Sequence, residues 1–190
     1  MNNEVFKYYV DELNLLTNFV KIAALDFNEA LNQDDSNLIW YDLQNIVTYA
    51  SDISKILWGS KGSENRNRQK FREILGADDG WEITYKNKTL RNKLEHIDEN
   101  LVKFSKQPHS LIYNRNIVSN YNAGVRVNNV AYNPNKESTL RSYNLELGEY
   151  VIFGQAFNIK KACEECRTLR LKTDDIVKSG VSYENLVGQD

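Results

Sequence analysis

Arg91, Asn92 and His96 stand in the run KTLRNKLEHIDENL and supply the groups that metal-free cleavage of an RNA phosphodiester needs. An imidazole with an ordinary pKa of about 6.5 can take a proton from a 2′-hydroxyl or give one to a leaving 5′-oxygen near neutral pH. A guanidinium keeps its charge and can hold two phosphate oxygens, stabilising the charge that builds on phosphorus. Asn92 can hydrogen-bond the phosphate or orient the imidazole. Residues four apart share a helix face, so Asn92 and His96 project together, with Glu99 one turn on. Arg91 lies about 140 degrees around from His96 and is not its partner on a single helix. A second copy packed about a two-fold axis would bring both arginines and both histidines into one cleft. The same spacing also fits an ordinary surface helix carrying i to i+4 charge pairs.

The element bearing these residues is predicted to be one helix from Lys88 to about Pro108, capped by Asn87, with Leu90, Leu94, Ile97, Leu101 and Phe104 turned inward. Upstream, Leu13, Leu16, Val20, Ala23, Phe27 and Ala30 recur at steps of three and four, and so do Ile39, Leu43, Ile46, Ala50, Ile53 and Leu57. NQDDS separates the two stripes and offers Asp34, Asp35 or Ser36 as an N-cap, so two long helices must run antiparallel. WGSKGSENRNRQ reads as a loop, QKFREIL as a short helix stopped by Gly76, and DDGW as a turn. VRVNNVAY, YNLEL and YVIF read as short strands, the last two joined by a hairpin turn around Gly148 and Glu149. A last helix is expected over about 156–172, followed by a loose tail. The fold class is mainly α: an antiparallel helical bundle in a single domain, 1–190, with a β insertion at about 109–155 whose small antiparallel strands lie near residues 124–154.

Hydrophobic residues form 41% and charged residues 26% of the 190, ordinary globular usage for one core. The start has acids within its apolar pattern, unlike a signal peptide, and no run nears the roughly twenty apolar residues of a membrane span. A soluble, cytoplasmic protein with no membrane partner is expected. Charge is uneven along the chain. Residues 1–60 hold nine acids and three bases, whereas 101–136 hold five bases and no acid. A second basic run, 61–72, contributes Arg66, Arg68, Lys70 and Arg72. These four, with Lys103 and Lys106, are candidates for RNA phosphate contact or else solvated positive charge. Tyrosines between 101 and 136 suit base stacking and suit strands equally. His109 is an ordinary loop histidine or a second RNA contact. Cys163 and Cys166 form a C-x-x-C without a second ligand pair or a βαβ setting. Their helical spacing with Ile159, Ala162 and Leu169 points to buried structural thiols, and no metal or other cofactor is expected.

R-N-x-x-x-H at the start of an amphipathic helix, behind a long antiparallel helix pair, resembles the HEPN superfamily (higher eukaryote and prokaryote nucleotide-binding domains). The resemblance covers roughly residues 5–105 and implies a metal-independent endoribonuclease, a toxin or phage-defence effector. It implies a homodimer with a composite site, Arg91 and His96 catalytic and Asn92 supporting, and an antitoxin or regulatory protein as partner. In toxins paired with a nucleotidyltransferase, a tyrosine two residues after the histidine is modified; Asp98 stands there in this chain. Other members lack catalysis and serve as binding or dimerisation modules.

Overall fold

The computed structural model describes residues 1–59, 65–84, 88–107, 112–119, 125–127, 130–132 and 139–187, without the side chains of 65, 88–91, 125–127 and 130–132. The chain is mainly helical with a small four-stranded sheet, and it divides into two units, Met1–Lys86 with Lys161–Asp190, and Asn87–Lys160.

In the first unit, α1 (Asn3–Gln33) is capped by Asn2, whose side chain accepts from the Val5 N–H, and ends where Asp34 turns left-handed at φ 55. The next residue already caps α2 (Ser36–Trp58): Asp35 Oδ1 accepts from the Asn37 and Leu38 N–H groups at 3.0 and 3.1 Å. A two-residue link of this kind forces the antiparallel hairpin that the apolar stripes predict. Leu13, Leu43, Ile46, Ile53 and Leu57 are all fully buried, each contributing roughly 1.5–3 kcal/mol of transfer free energy. Helix α3 (Asn65–Leu75) starts inside the predicted loop. Phe71 and Leu75, one turn apart and both buried, anchor it, and nothing in Asn-Arg-Asn-Arg breaks the helix upstream. Gly76, at φ 69, stops it as expected.

Helix α6 (Ile159–Ser179) begins later and runs further than the expected 156–172. Its far end is held where Asn14 Nδ2 donates to Thr173 Oγ1 at 3.1 Å and to Asp174 Oδ1 at 2.7 Å. The tail is not loose through 187: α7 (Tyr183–Val187) buries Tyr183, whose ring lies 5.3 Å from that of Phe6. Glu165 on α6 accepts from the Glu82 and Ile83 N–H groups at 2.7 and 3.0 Å, tying the segment after the DDGW turn to this helix.

The second unit holds α4 (Lys88–Glu95), α5 (Ile97–Ser105), and a sheet of order β1 (Tyr113–Val118), β4 (Thr139–Asn144), β5 (Glu149–Ile152) and β6 (Gln155–Asn158). β2 (Val125–Val127) and β3 (Val130–Tyr132) pair separately as an antiparallel hairpin. The expected antiparallel insertion is corrected in two respects. The sheet is mixed, because β1 pairs with β4 in parallel, residues 119–138 making the long connection that a parallel pair needs. It also extends to Asn158, since Phe157 and Tyr150 form a cross-strand pair and draw 155–158 into a strand ahead of α6. Within YNLEL only Tyr143 and Asn144 are in β4; Leu145 to Gly148 form the turn, where Asn144 Oδ1 accepts from the Leu147 N–H at 2.9 Å.

Phe153 and Gly154 form the two-residue turn between β5 and β6, with φ of 48 and 76. Positive φ at both central residues matches the right-handed twist of the strands, and it strains any residue other than glycine at the first of them.

Candidate functional site

The helix expected over Lys88 to Pro108 is two helices, and the break falls on His96, at φ −108 and ψ 47. His96 N–H still donates to the Asn92 carbonyl, and Asn100 N–H to the His96 carbonyl, both at 3.0 Å. The interruption is therefore a corner that keeps one turn of helix hydrogen bonding on each side. Asn100 stabilises it: its side-chain amide donates to the Lys93 carbonyl at 3.3 Å and to the His96 carbonyl at 2.8 Å. The Lys93 carbonyl stands near the end of α4, where helix carbonyls need outside donors, and the His96 carbonyl takes the amide as a second donor beside the Asn100 N–H.

The corner turns the expected inward stripe. Phe104 is buried, but Ile97 and Leu101 are 38% and 44% exposed. Leu94 is half-buried, and the side chains of Leu90 and Arg91 are outside those described. Asn87, Pro108, His109, Tyr121, Gly124 and Pro134 lie outside the described residues.

Lys93, inside the motif, reaches inward. Its Nζ donates to the Phe153 carbonyl at 2.7 Å, and partial burial of the ammonium holds its pKa below the ordinary lysine value. The Phe104 ring meets the Phe153 ring at 6.0 Å. Both motif helices are thus fixed to the turn between β5 and β6, α4 through a hydrogen bond and α5 through an aromatic contact. In the sequence, only the Phe-Gly pair between YVI and QAF signalled this turn, and nothing signalled Lys93 or Asn100 as supports.

Asn92 and His96 are exposed. His96 Nδ1 stands 3.9 Å from Glu99 Oε1, a distance of electrostatic attraction and too long for a hydrogen bond. Glu99 Oε2 is 3.6 Å from Lys103 Nζ. The outward face therefore reads imidazole, carboxylate, ammonium along α5, with the imidazole open to solvent. Lys106, also exposed, follows Lys103 at the end of α5.

The other basic candidates belong to the first unit. Arg66 and Lys70 are exposed on α3. The Arg68 guanidinium lies against Gly59, where any Cβ would collide with it. Arg72 is committed to the fold: Nη1 donates to the Leu57 carbonyl at 2.9 Å, Nε is 3.5 Å from Asp79, and the guanidinium lies over the Trp58 ring. Asp79 in turn accepts from Trp58 Nε1 at 2.6 Å. Arg72 thus acts as a clamp on the end of α2, with its side chain only 11% exposed. The acid-rich run 1–60 and the base-rich run 101–136 fall in different units, while the basic run 61–72 shares the unit of the acids: 87–160 has ten Lys and Arg against six Asp and Glu, and the remainder has fourteen against twenty.

Cys166 is buried and Cys163 half-buried, both unpaired, and burial pushes the Cys163 thiol up to about 11 and the Cys166 thiol well above its ordinary value. Structural thiols fit this setting better than redox chemistry, which needs a thiolate. Among the described residues no cluster of His, Cys, Asp and Glu could hold a metal ion, and no helix is long and apolar enough to cross a membrane. Set against models of known protein families, curated proteins and solved structures, the chain matches none of them.

Proposed function

We propose that this chain is a metal-independent endoribonuclease of HEPN type, a toxin or phage-defence effector whose composite site forms when two copies meet at the corner between α4 and α5. The observation that carries the reading is His96: an exposed imidazole held at a helix corner, one turn after exposed Asn92, in the unit with a net positive charge. Positive charge draws a polyanion, and an open imidazole is free to exchange protons. His96 removes the 2′-hydroxyl proton; the 2′-oxygen attacks phosphorus and the 5′-oxygen leaves, taking a proton from the partner copy's imidazole. Arg91 steadies the charged phosphorus centre, Asn92 supports it, and Lys103 and Lys106 hold flanking phosphates. Ile97 and Leu101, exposed beside His96, give the second copy an apolar surface to pack on. The same exposure favours a second reading, a non-catalytic HEPN-like dimerisation or binding module.

Wild type, Arg91→Ala and His96→Ala are incubated with total RNA in EDTA, and the ends are mapped. Wild type should leave 2′,3′-cyclic phosphates and both variants should leave the RNA intact. Equal decay in all three samples removes His96 from the chemistry and sinks the nuclease. Intact RNA in all three, with dimers in solution that Leu101→Ser dissolves, selects the second reading.

A further inference from the structure

The outer face of α1 carries a second apolar stripe that the fold does not use. Tyr8, Leu15 and Ile22 stand seven residues apart and are 60%, 47% and 54% exposed, and Val5 and Leu25 extend the exposed surface at either end. Seven-residue spacing keeps these side chains in line along a helix and is the spacing by which one helix packs against another. The stripe runs about 30 Å from Val5 to Leu25. Its charge is mainly acidic, with Lys7 and Lys21 farther round on the side of Leu25, where Arg167 and Arg170 of α6 also line a groove. Within about 60 degrees of the Tyr8–Leu15–Ile22 line, by helical geometry, the charged residues of α1 are Glu4, Asp11, Glu12, Asp26 and Glu29, with no Lys or Arg. Tyr8 Oη donates to Glu4 Oε1 at 3.0 Å, which fixes one of these acids at the edge of the stripe. Asp26 lies close to the line, and Glu29, seven residues after Ile22, continues it.

We infer that the outer face of α1 docks a basic amphipathic helix of a partner protein, about twenty residues long, with apolar residues facing Tyr8, Leu15 and Ile22 and Lys or Arg facing the acids. Charge complementarity selects this occupant. A second copy of α1 would set five acids against five, and an anionic nucleic acid or lipid surface would meet the same repulsion. An apolar stripe with flanking charges mainly of one sign is the mode in which a helix is recognised by its apolar anchors and sorted by its charges. This surface lies on the acidic unit and does not involve His96, so it stands or falls apart from the ribonuclease reading.

The test uses the full chain and two synthetic helical peptides with leucine at heptad a and d positions, one with Lys at e and g and the other with Glu. Fluorescence anisotropy should show the Lys peptide binding at least about ten-fold more tightly than the Glu peptide, with the difference shrinking as salt rises. The double variant Leu15→Ser, Ile22→Ser should weaken Lys-peptide binding about ten-fold or more with an unchanged melting curve, both residues being exposed. His96→Ala should bind as wild type does. Equal binding of the two peptides, no binding of either, or full binding by the double variant overturns the proposal. Sedimentation showing a dimer that the double variant dissolves overturns it in favour of a second copy.

Discussion

Asp42→Asn should stabilise the chain at neutral pH and have no effect in acid. Asp42 sits on α2 only 2% exposed, its Oδ2 buried without a hydrogen-bond partner. Burial raises its pKa above 3.8, and the charge of Asp26 adds to the rise. The folded state therefore holds this proton more tightly than the unfolded state does, and the sign follows. Where the folded chain binds more protons, stability falls as pH rises. The contribution is full below the ordinary carboxylate range, is lost as pH climbs through the interval up to the raised value, and stays lost above it. Asparagine fills the same space without the charge. An unsatisfied buried polar group costs about 1–3 kcal/mol and more when it is charged; asparagine keeps the polar part of that cost, so its gain is the excess due to the charge, about 1–2 kcal/mol. For a chain of this size each kcal/mol moves Tm by roughly 2–4 °C, so the variant should melt about 2–8 °C higher at pH 7.5. Circular dichroism melts from pH 3.5 to 8 measure the gap between the two proteins. It should open above about pH 4 and reach a plateau. A gap that is constant across pH, or a variant that melts lower at pH 7.5, refutes the reasoning. Asp26→Asn, which removes only the secondary cause, should narrow the gap without closing it.

Arg72→Ala should lower stability by about 2–3 kcal/mol through loss of the charged hydrogen bond to Leu57 and the contacts with Asp79 and Trp58, while Arg66→Ala leaves the melt unchanged; equal effects would undo the clamp. Phe153→Gly should be more stable than Phe153→Ala by about 1 kcal/mol, because both lose the ring contact with Phe104 and only glycine relieves the positive φ, and the reverse order in urea melts would contradict the strain. Ellman's reagent at pH 7.5 should react slowly with Cys163 and with Cys166 only in denaturant, and a fast reaction of two thiols in the native chain would disprove their burial.

The helical hairpin was legible because its evidence is local and redundant. Twelve apolar positions share one period, and NQDDS has few ways to turn a helix, although three residues competed for the cap and only geometry selects Asp35. The motif helix was legible as a helix and illegible as a corner. Nothing between Arg91 and Glu99 is a helix breaker, and the interruption depends on the Asn100 amide and on a turn more than fifty residues further on. The mixed sheet was hidden for a related reason. Asn-Arg-Asn in β1 has no apolar alternation, and its strand state comes from pairing with β4 across a long connection. Arg72 looked the same in sequence as Arg66, since a basic residue on a helix declares its charge but not whether an Asp and a carbonyl already hold it.

The division of charge between the two units has a consequence for what a bulk property reports. A pI of about 5.8 describes a sum in which an excess of four positive charges is outweighed by an excess of six negative ones. At physiological salt the reach of a charge is roughly 8 Å, so an approaching molecule feels the patch in front of it and little of the remainder. The chain thus behaves as a zwitterion on the scale of a domain, and an acidic isoelectric point is no guide to which of its surfaces a polyanion or a polycation will find.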